Sequence, residues 1–148
     1  MQEPKKILAE WFVQFAKNRD LIHRKIESID ENENVIHYKD KDLNILIGPF
    51  LGDVGEIIRQ MEKGKHYAVV VFNTKDNFKK IFENWKSLAE FRFLTIYFVN
   101  PLSQKDKKWI VMPHTHSRIT EEKSLKRGLM SMFEMVDEFS REDAARLE

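Results

Sequence analysis

Two unbroken apolar runs, Tyr67-Ala-Val-Val-Val-Phe72 and Phe93-Leu-Thr-Ile-Tyr-Phe-Val99, constrain this chain more than any other feature. Both are rich in β-branched and aromatic residues and lack polar alternation, the pattern of strands covered on both faces. Between them, Phe78, Ile81, Phe82, Trp85, Leu88 and Ala89 recur at helical spacing behind the caps Asn73-Thr74 and Asp76. Two buried strands joined by a helix of this length lie parallel with a right-handed crossover, so residues 67–73 and 93–99 are the expected central pair.

The flanking segments extend that unit into one domain. Ile7, Leu8, Trp11, Phe12 and Phe15 mark one face of a helix that opens at Pro4 and ends near Asn18. The turn-rich clusters Asp30-Glu-Asn-Glu-Asn34 and Lys39-Asp-Lys-Asp42 cut the next stretch into three short segments. These predict an antiparallel meander with strands near Arg24–Ile29, Val35–Tyr38 and Leu43–Ile47, the first retaining some helical spacing through Ile22, Ile26 and Ile29. Asp53 caps a helix carrying Val54, Ile57, Ile58 and Met61, with Gly64 as its stop.

Beyond the central unit, Trp109–Met112 reads as a short edge strand halted by Pro113, followed by a polar loop His114-Thr-His116-Ser-Arg118. Thr120 then caps a last helix whose apolar face runs through Leu125, Leu129, Met132, Phe133, Val136 and Phe139, before a polar tail. The expectation is a single α/β domain over residues 1–146, with Leu147-Glu148 set aside as a cloning remnant. Its mixed sheet combines an antiparallel meander with a parallel βαβ unit, and helices cover the faces.

Composition narrows the chemistry. With 148 residues and no cysteine, the fold is expected to need no disulfide, and no thiol serves as nucleophile or ligand. Lacking a signal peptide or a membrane-length apolar run, the chain is expected to be cytoplasmic with no membrane partner. The Gly48-Pro-Phe-Leu-Gly52 loop precedes a helix and could hold an anion on backbone N–H groups, but lacks the Gly-Lys-Ser/Thr ending of a phosphate loop. No Gly-x-Ser-x-Gly elbow is present, and the turn Phe72-Asn-Thr-Lys-Asp-Asn-Phe78 has no glycine to admit a dinucleotide pyrophosphate. No cofactor is expected. Trp85 and the aromatics from Phe91 to Phe98 are expected in the core and not as stacking platforms.

Charge is uneven despite a net value of +1. Residues 63–127 hold 14 Lys and Arg against 6 Asp and Glu, while both flanking segments are acidic. A basic middle section predicts a surface for nucleic acid or another polyanion, with Lys105, Lys107, Lys108, Arg118, Lys126 and Arg127 as its contacts. Two further classes stay open. In an extended segment His114 and His116 would face the same side, so a metal-dependent hydrolase could use them with Glu10, Asp40 or Asp42. His23, His37 and His66 are further ligands if the fold gathers them. Alternatively, Met130 lies off the last helix's main stripe, and an uncovered apolar patch there would favour a homo-oligomer or a partner-binding domain.

The predicted order of helix, three-strand meander, helix, strand, helix, strand over residues 4–100 resembles the restriction-endonuclease-like, or PD-(D/E)XK, superfamily. That resemblance implies metal-dependent nucleic-acid cleavage, with an acid from the second strand, here Asp40 or Asp42, and an acid-x-Lys from the third. The third strand reads Leu43-Asn-Ile-Leu-Ile-Gly48 and supplies neither acid nor lysine. The resemblance therefore implies a degenerate, inactive member.

Overall fold

The computed structural model describes residues 3–119 and 121–147. Its centre is a six-stranded open sheet in which the strands lie side by side in chain order. The strands are β1 (Ile26–Asp30), β2 (Val35–Tyr38), β3 (Asp42–Ile47), β4 (His66–Phe72), β5 (Leu94–Val99) and β6 (Lys108–Val111). Neighbours β1, β2 and β3 pair antiparallel, β3, β4 and β5 pair parallel, and β6 returns antiparallel to β5. The central pair aligns Tyr67 with Leu94 and Phe72 with Val99. This is a single mixed α/β domain.

The helices among the described residues are α1 (Pro4–Arg19), α2 (Val54–Gln60), α3 (Lys75–Glu83), α4 (Trp85–Leu88), α5 (Pro113–Ile119), α6 (Glu122–Glu134) and α7 (Arg141–Arg146). The connections β3–α2–β4 and β4–α3–β5 step the same way across the sheet, so right-handed crossovers put both helices on one face. Tyr67, Val69, Val71, Leu94, Ile96 and Phe98 point to that face and pack with Val54, Phe78, Ile81, Trp85, Leu129 and Phe133. Alternate residues Ala68, Val70, Phe72, Tyr97 and Val99 point to the other face, under Ile7, Leu8, Phe12 and Ala16 of α1.

Several local features differ from the sequence-level expectation. The first strand starts at Ile26 and not Arg24, because Arg24 adopts a left-handed conformation (φ 51°) inside the turn after α1. Asp20 holds that turn, its carboxylate accepting the amide N–H groups of Lys25 and Ile26 at 2.8 and 2.9 Å. The single helix expected over Phe78–Ala89 is two, divided at Asn84.

The last helix stops earlier than its apolar periodicity suggests. α6 ends at Glu134, and its expected cap Thr120 lies outside the described residues. Val136 still joins the α3 face, but Phe139 crosses to the α1 face and stacks on Phe72 at 3.8 Å and 10°. Residues 135–140 thus form a strap around one end of the sheet. The expected polar tail is α7, opened by a reciprocal capping box between Ser140 and Asp143, and Leu147 packs on the α1-side core.

Candidate functional site

The two ends of the sheet differ in openness. At the carboxyl ends of the parallel strands, Asn73, Asn77 and Asn100 are at most 2% exposed, and their side chains are fully engaged. The Asn73 carboxamide donates to the Val136 carbonyl at 3.0 Å and accepts from the Trp109 indole at 2.7 Å. Asn77 accepts from Leu51 N–H and donates to the carbonyls of Pro49 and Phe72. Asn100 donates to Asp137 and accepts from Leu102. The glycine loop expected to offer N–H groups to an anion is closed by the same bonds, since Gly48 N–H already binds Val70 and Leu51 N–H binds Asn77.

At the opposite end, α1 covers the sheet only in part. A recess of about 520 Å³ opens there between the last turn of α1 and the sheet. Its floor is Leu43, Ala68, Thr95 and Tyr97, of which Leu43 and Thr95 are half-buried and Ala68 and Tyr97 buried. A second recess of about 610 Å³ adjoins it and shares Lys41, His66, Phe93, Thr95 and Met112. Together they form one groove across the amino ends of β3, β4 and β5, each recess within the size range of ligand-binding clefts.

Cations line its length. Arg19, Lys25 and Lys41 border the first recess and Arg92 the second, against the acids Asp20 and Asp40. Asp20 is already bound to two backbone amides. Partial desolvation works to raise its pKa, but those N–H donors and the neighbouring His23 and Lys25 charges outweigh it and hold the carboxyl below its usual range. The Lys41 ammonium lies 5.3 Å from the centroid of the Tyr38 ring and the Arg19 guanidinium 5.4 Å from that of Phe15. Burial raises the pKa of Tyr97 on the floor, although Arg19 pulls against it, so the phenol is neutral at physiological pH.

An aromatic pair, half-buried His66 and exposed Phe93, stands where the recesses meet. His66 stacks on Phe93 with centroids 4.3 Å apart and planes 21° from parallel, and Arg92 lies over the same phenyl ring at 5.5 Å. Burial, with the Lys41 charge close by, lowers the His66 pKa, so its imidazole is neutral at pH 7. Phe93 is 39% exposed, which corrects the expectation that the aromatics of this run are all core; Trp85, Phe91 and Phe98 are indeed buried. Met112, 40% exposed, adds apolar surface to both recesses.

The residues singled out in the sequence are spread over the molecule. Pro113 opens α5, so His114-x-His116 is helical and not extended, and side chains two apart diverge by about 200°. His114 Nδ1 donates to the Ala89 carbonyl, whereas His116 Nδ1 sits against the backbone of Met112. The Arg118 side chain lies outside the described residues. Glu10 is exposed and pairs with Lys6 at 3.9 Å, while Asp42 pairs with His37 at 2.7 Å. Only Asp40, His23, His66 and His114 border the groove. No group of three or more His, Asp or Glu suited to a metal ion occurs among the described residues.

The basic residues from the middle section do not share one surface. Lys108 lies over Phe15 on the α1 face, while Lys126 lies over Phe82 on the opposite face. Arg127 is exposed on α6, where Lys126 also sits. Lys105 approaches Asp137 at 3.9 Å, and Lys107 donates to the carbonyls of Pro101 and Ser103. Sequence reasoning missed Arg19, Lys25, Lys41, Arg92 and Phe93, which come from four separate segments and carry no common local signal.

Fold and site together define an α/β domain with a basic, aromatic-lined groove at the amino ends of its parallel strands. No family model, curated protein or solved structure matches the chain. Among the described residues, no helix is long and apolar enough to cross a membrane.

Proposed function

We propose that this protein is a non-catalytic binding module for nucleic acid or a similar polyanion, and that the groove is where the anion lies. The observation that carries this reading is the continuity of the two recesses through Lys41, His66 and Phe93, with Arg19, Lys25 and Arg92 along the same path. Cations spaced along a channel neutralise successive phosphates and release condensed counterions on binding. Of the two acids there, Asp20 competes weakly, since it is committed to its own turn. A relation to the restriction-endonuclease-like superfamily belongs to the same proposal. The order α1-β1-β2-β3-α2-β4-α3-α4-β5 supports it, and the third strand, Asp42-Leu-Asn-Ile-Leu-Ile47, has no lysine two residues after its acid. A cytoplasmic setting fits the absence of cysteine.

The test is a salt titration of binding to labelled DNA and RNA. Affinity falls steeply with salt, and Lys41→Glu with Arg92→Glu flattens the slope by about 0.7 per lost phosphate contact on a single strand. Lys126→Glu, on the far face, leaves the slope unchanged. Binding indifferent to salt, or weakened as much by the Lys126 change, removes the reading. A second reading, self-association, has one observation in its favour: Met130, Met132 and Met135 on and beside α6 are 40%, 37% and 48% exposed. Light scattering over a concentration series would show a dimer if that face is used.

A further inference from the structure

We infer that the strand held in this groove is single-stranded, with one base seated on the Phe93 ring and covered by the Arg92 guanidinium. This deepens the polyanion reading and rests on it. A duplex presents phosphates outward and keeps base faces stacked inside, so it offers nothing to an exposed phenyl ring. A single strand presents both phosphates and base faces, and proteins that bind one combine a basic track with aromatic platforms. Here the cations and the exposed apolar groups Phe93 and Met112 border the same groove.

The geometry at Phe93 favours insertion. His66 stacks on the ring at 4.3 Å and stiffens the platform; lowered in pKa by burial and Lys41, it adds no charge at neutral pH. Arg92 stands 5.5 Å from the ring centroid, well beyond the ~3.5 Å of a tight contact between planes. A base between the two needs a gap of about 7 Å, twice that contact distance. Since Arg92 is exposed, a swing of about 1.5 Å in its side chain opens that gap. The guanidinium then covers the outer base face while keeping its charge available to the neighbouring phosphate.

The experiment uses the full chain and four fluorescent 12-mers of one sequence: single-stranded RNA, single-stranded DNA, the DNA duplex, and a single strand with abasic sites throughout. All four are followed by anisotropy at two salt concentrations. The expected result is that a base-bearing single strand binds at least tenfold tighter than the duplex and the abasic strand. Phe93→Ala lowers that affinity about tenfold, the order of one lost base stack, and leaves abasic binding unchanged. Phe93→Trp retains tight binding, and Phe93→Leu, which keeps apolar bulk without a π face, behaves as the alanine variant does. Far-UV circular dichroism confirms that each variant is folded. Equal affinity for all four strands with a silent Phe93→Ala overturns the base-stacking inference while leaving polyanion binding intact. Salt-independent binding, or none to any strand, overturns both.

Discussion

Asn73 is the residue whose replacement tests the fold most sharply, because one carboxamide ties three parts of the chain together. It follows β4, donates to Val136 in the strap and accepts from Trp109 of β6. Both side-chain partners are buried: Trp109 is 4% exposed and Val136 is 2%. In Asn73→Ala the indole N–H loses its acceptor and the Val136 carbonyl its shortest side-chain donor. Each buried orphan costs about 1–3 kcal/mol, and the vacated volume adds to that, so the expected loss is about 3–5 kcal/mol. Near a urea m-value of about 2 kcal/mol/M, the midpoint falls by roughly 1.5–2.5 M.

Asn73→Leu separates the two contributions. Leucine restores volume but supplies neither donor nor acceptor, so its cost stays above about 2 kcal/mol if the hydrogen bonds matter. Trp109→Phe removes the other end of the same bond, and a double-mutant cycle should show coupling of about 1–2 kcal/mol. Unfolding followed by far-UV circular dichroism reads every one of these proteins. A loss below about 1 kcal/mol for Asn73→Ala, or additivity within about 0.5 kcal/mol, would refute the claim that this amide closes the sheet end.

Three further outcomes are expected. Phe139→Ala removes a 2%-exposed ring stacked on Phe72 and should cost about 3–5 kcal/mol by chemical denaturation, whereas a terminal strap that merely drapes the surface would lose under 1. The Asp137 carboxylate, accepting from Gln104 N–H first and supported by Ser103 and Lys105, is held below its usual value of 3.8 against the opposing pull of desolvation. Its stabilisation is therefore fully present above that pH and lost as pH falls through the folded-state value, and Asp137→Asn should flatten acid unfolding there. The His66 pKa is lowered from 6.5 by burial and Lys41, so the unfolded chain binds more protons just below that pH. Stability should rise with pH across that window, and His66→Gln should remove the rise in thermal melts taken between pH 5 and 7.

How far the sequence could be read depended on whether a segment's surroundings were implied by its own pattern. The runs at 67–72 and 93–99 were legible because strands buried on both faces need no alternation, and the helix between them required a parallel pairing. Asp53 and Thr74 were legible as caps, and both accept the backbone N–H expected of them, from Gly55 and Asn77. The end of α6 was not, because Val136 and Phe139 keep helical spacing although the chain has left the helix, and no glycine or proline marks the exit. His114-x-His116 misled for a related reason: Pro113 suits both the end of a strand and the first turn of a helix, and only the second reading sends the two rings apart. The groove was illegible altogether. Arg19, Lys41, His66 and Arg92 belong to four segments, and Phe93 is exposed because it precedes the first paired residue of β5, a boundary that hydrophobicity does not reveal.

The position of the groove follows from the strand order itself. In open α/β sheets, ligands commonly bind beyond the carboxyl ends of the strands, in the crevice where adjacent crossovers depart to opposite faces. Here the steps from β3 to β4 and from β4 to β5 run in one direction, so α2 and α3 share a face and no such crevice arises. The strap at 135–140 and the three asparagines seal that end instead. On the opposite face α1 leaves part of the sheet uncovered at the amino ends of the parallel strands. Thr95 is half-buried in that gap, and the turn held by Asp20 carries His23 and Lys25 to its edge. Filling the gap from within is therefore a test of the site that leaves every charge in place: Thr95→Leu, at a half-buried position shared by both recesses, should abolish strand binding while Lys41 and Arg92 remain and far-UV circular dichroism shows the chain folded. If binding survives a filled groove with its salt dependence unchanged, the anion lies elsewhere on the surface.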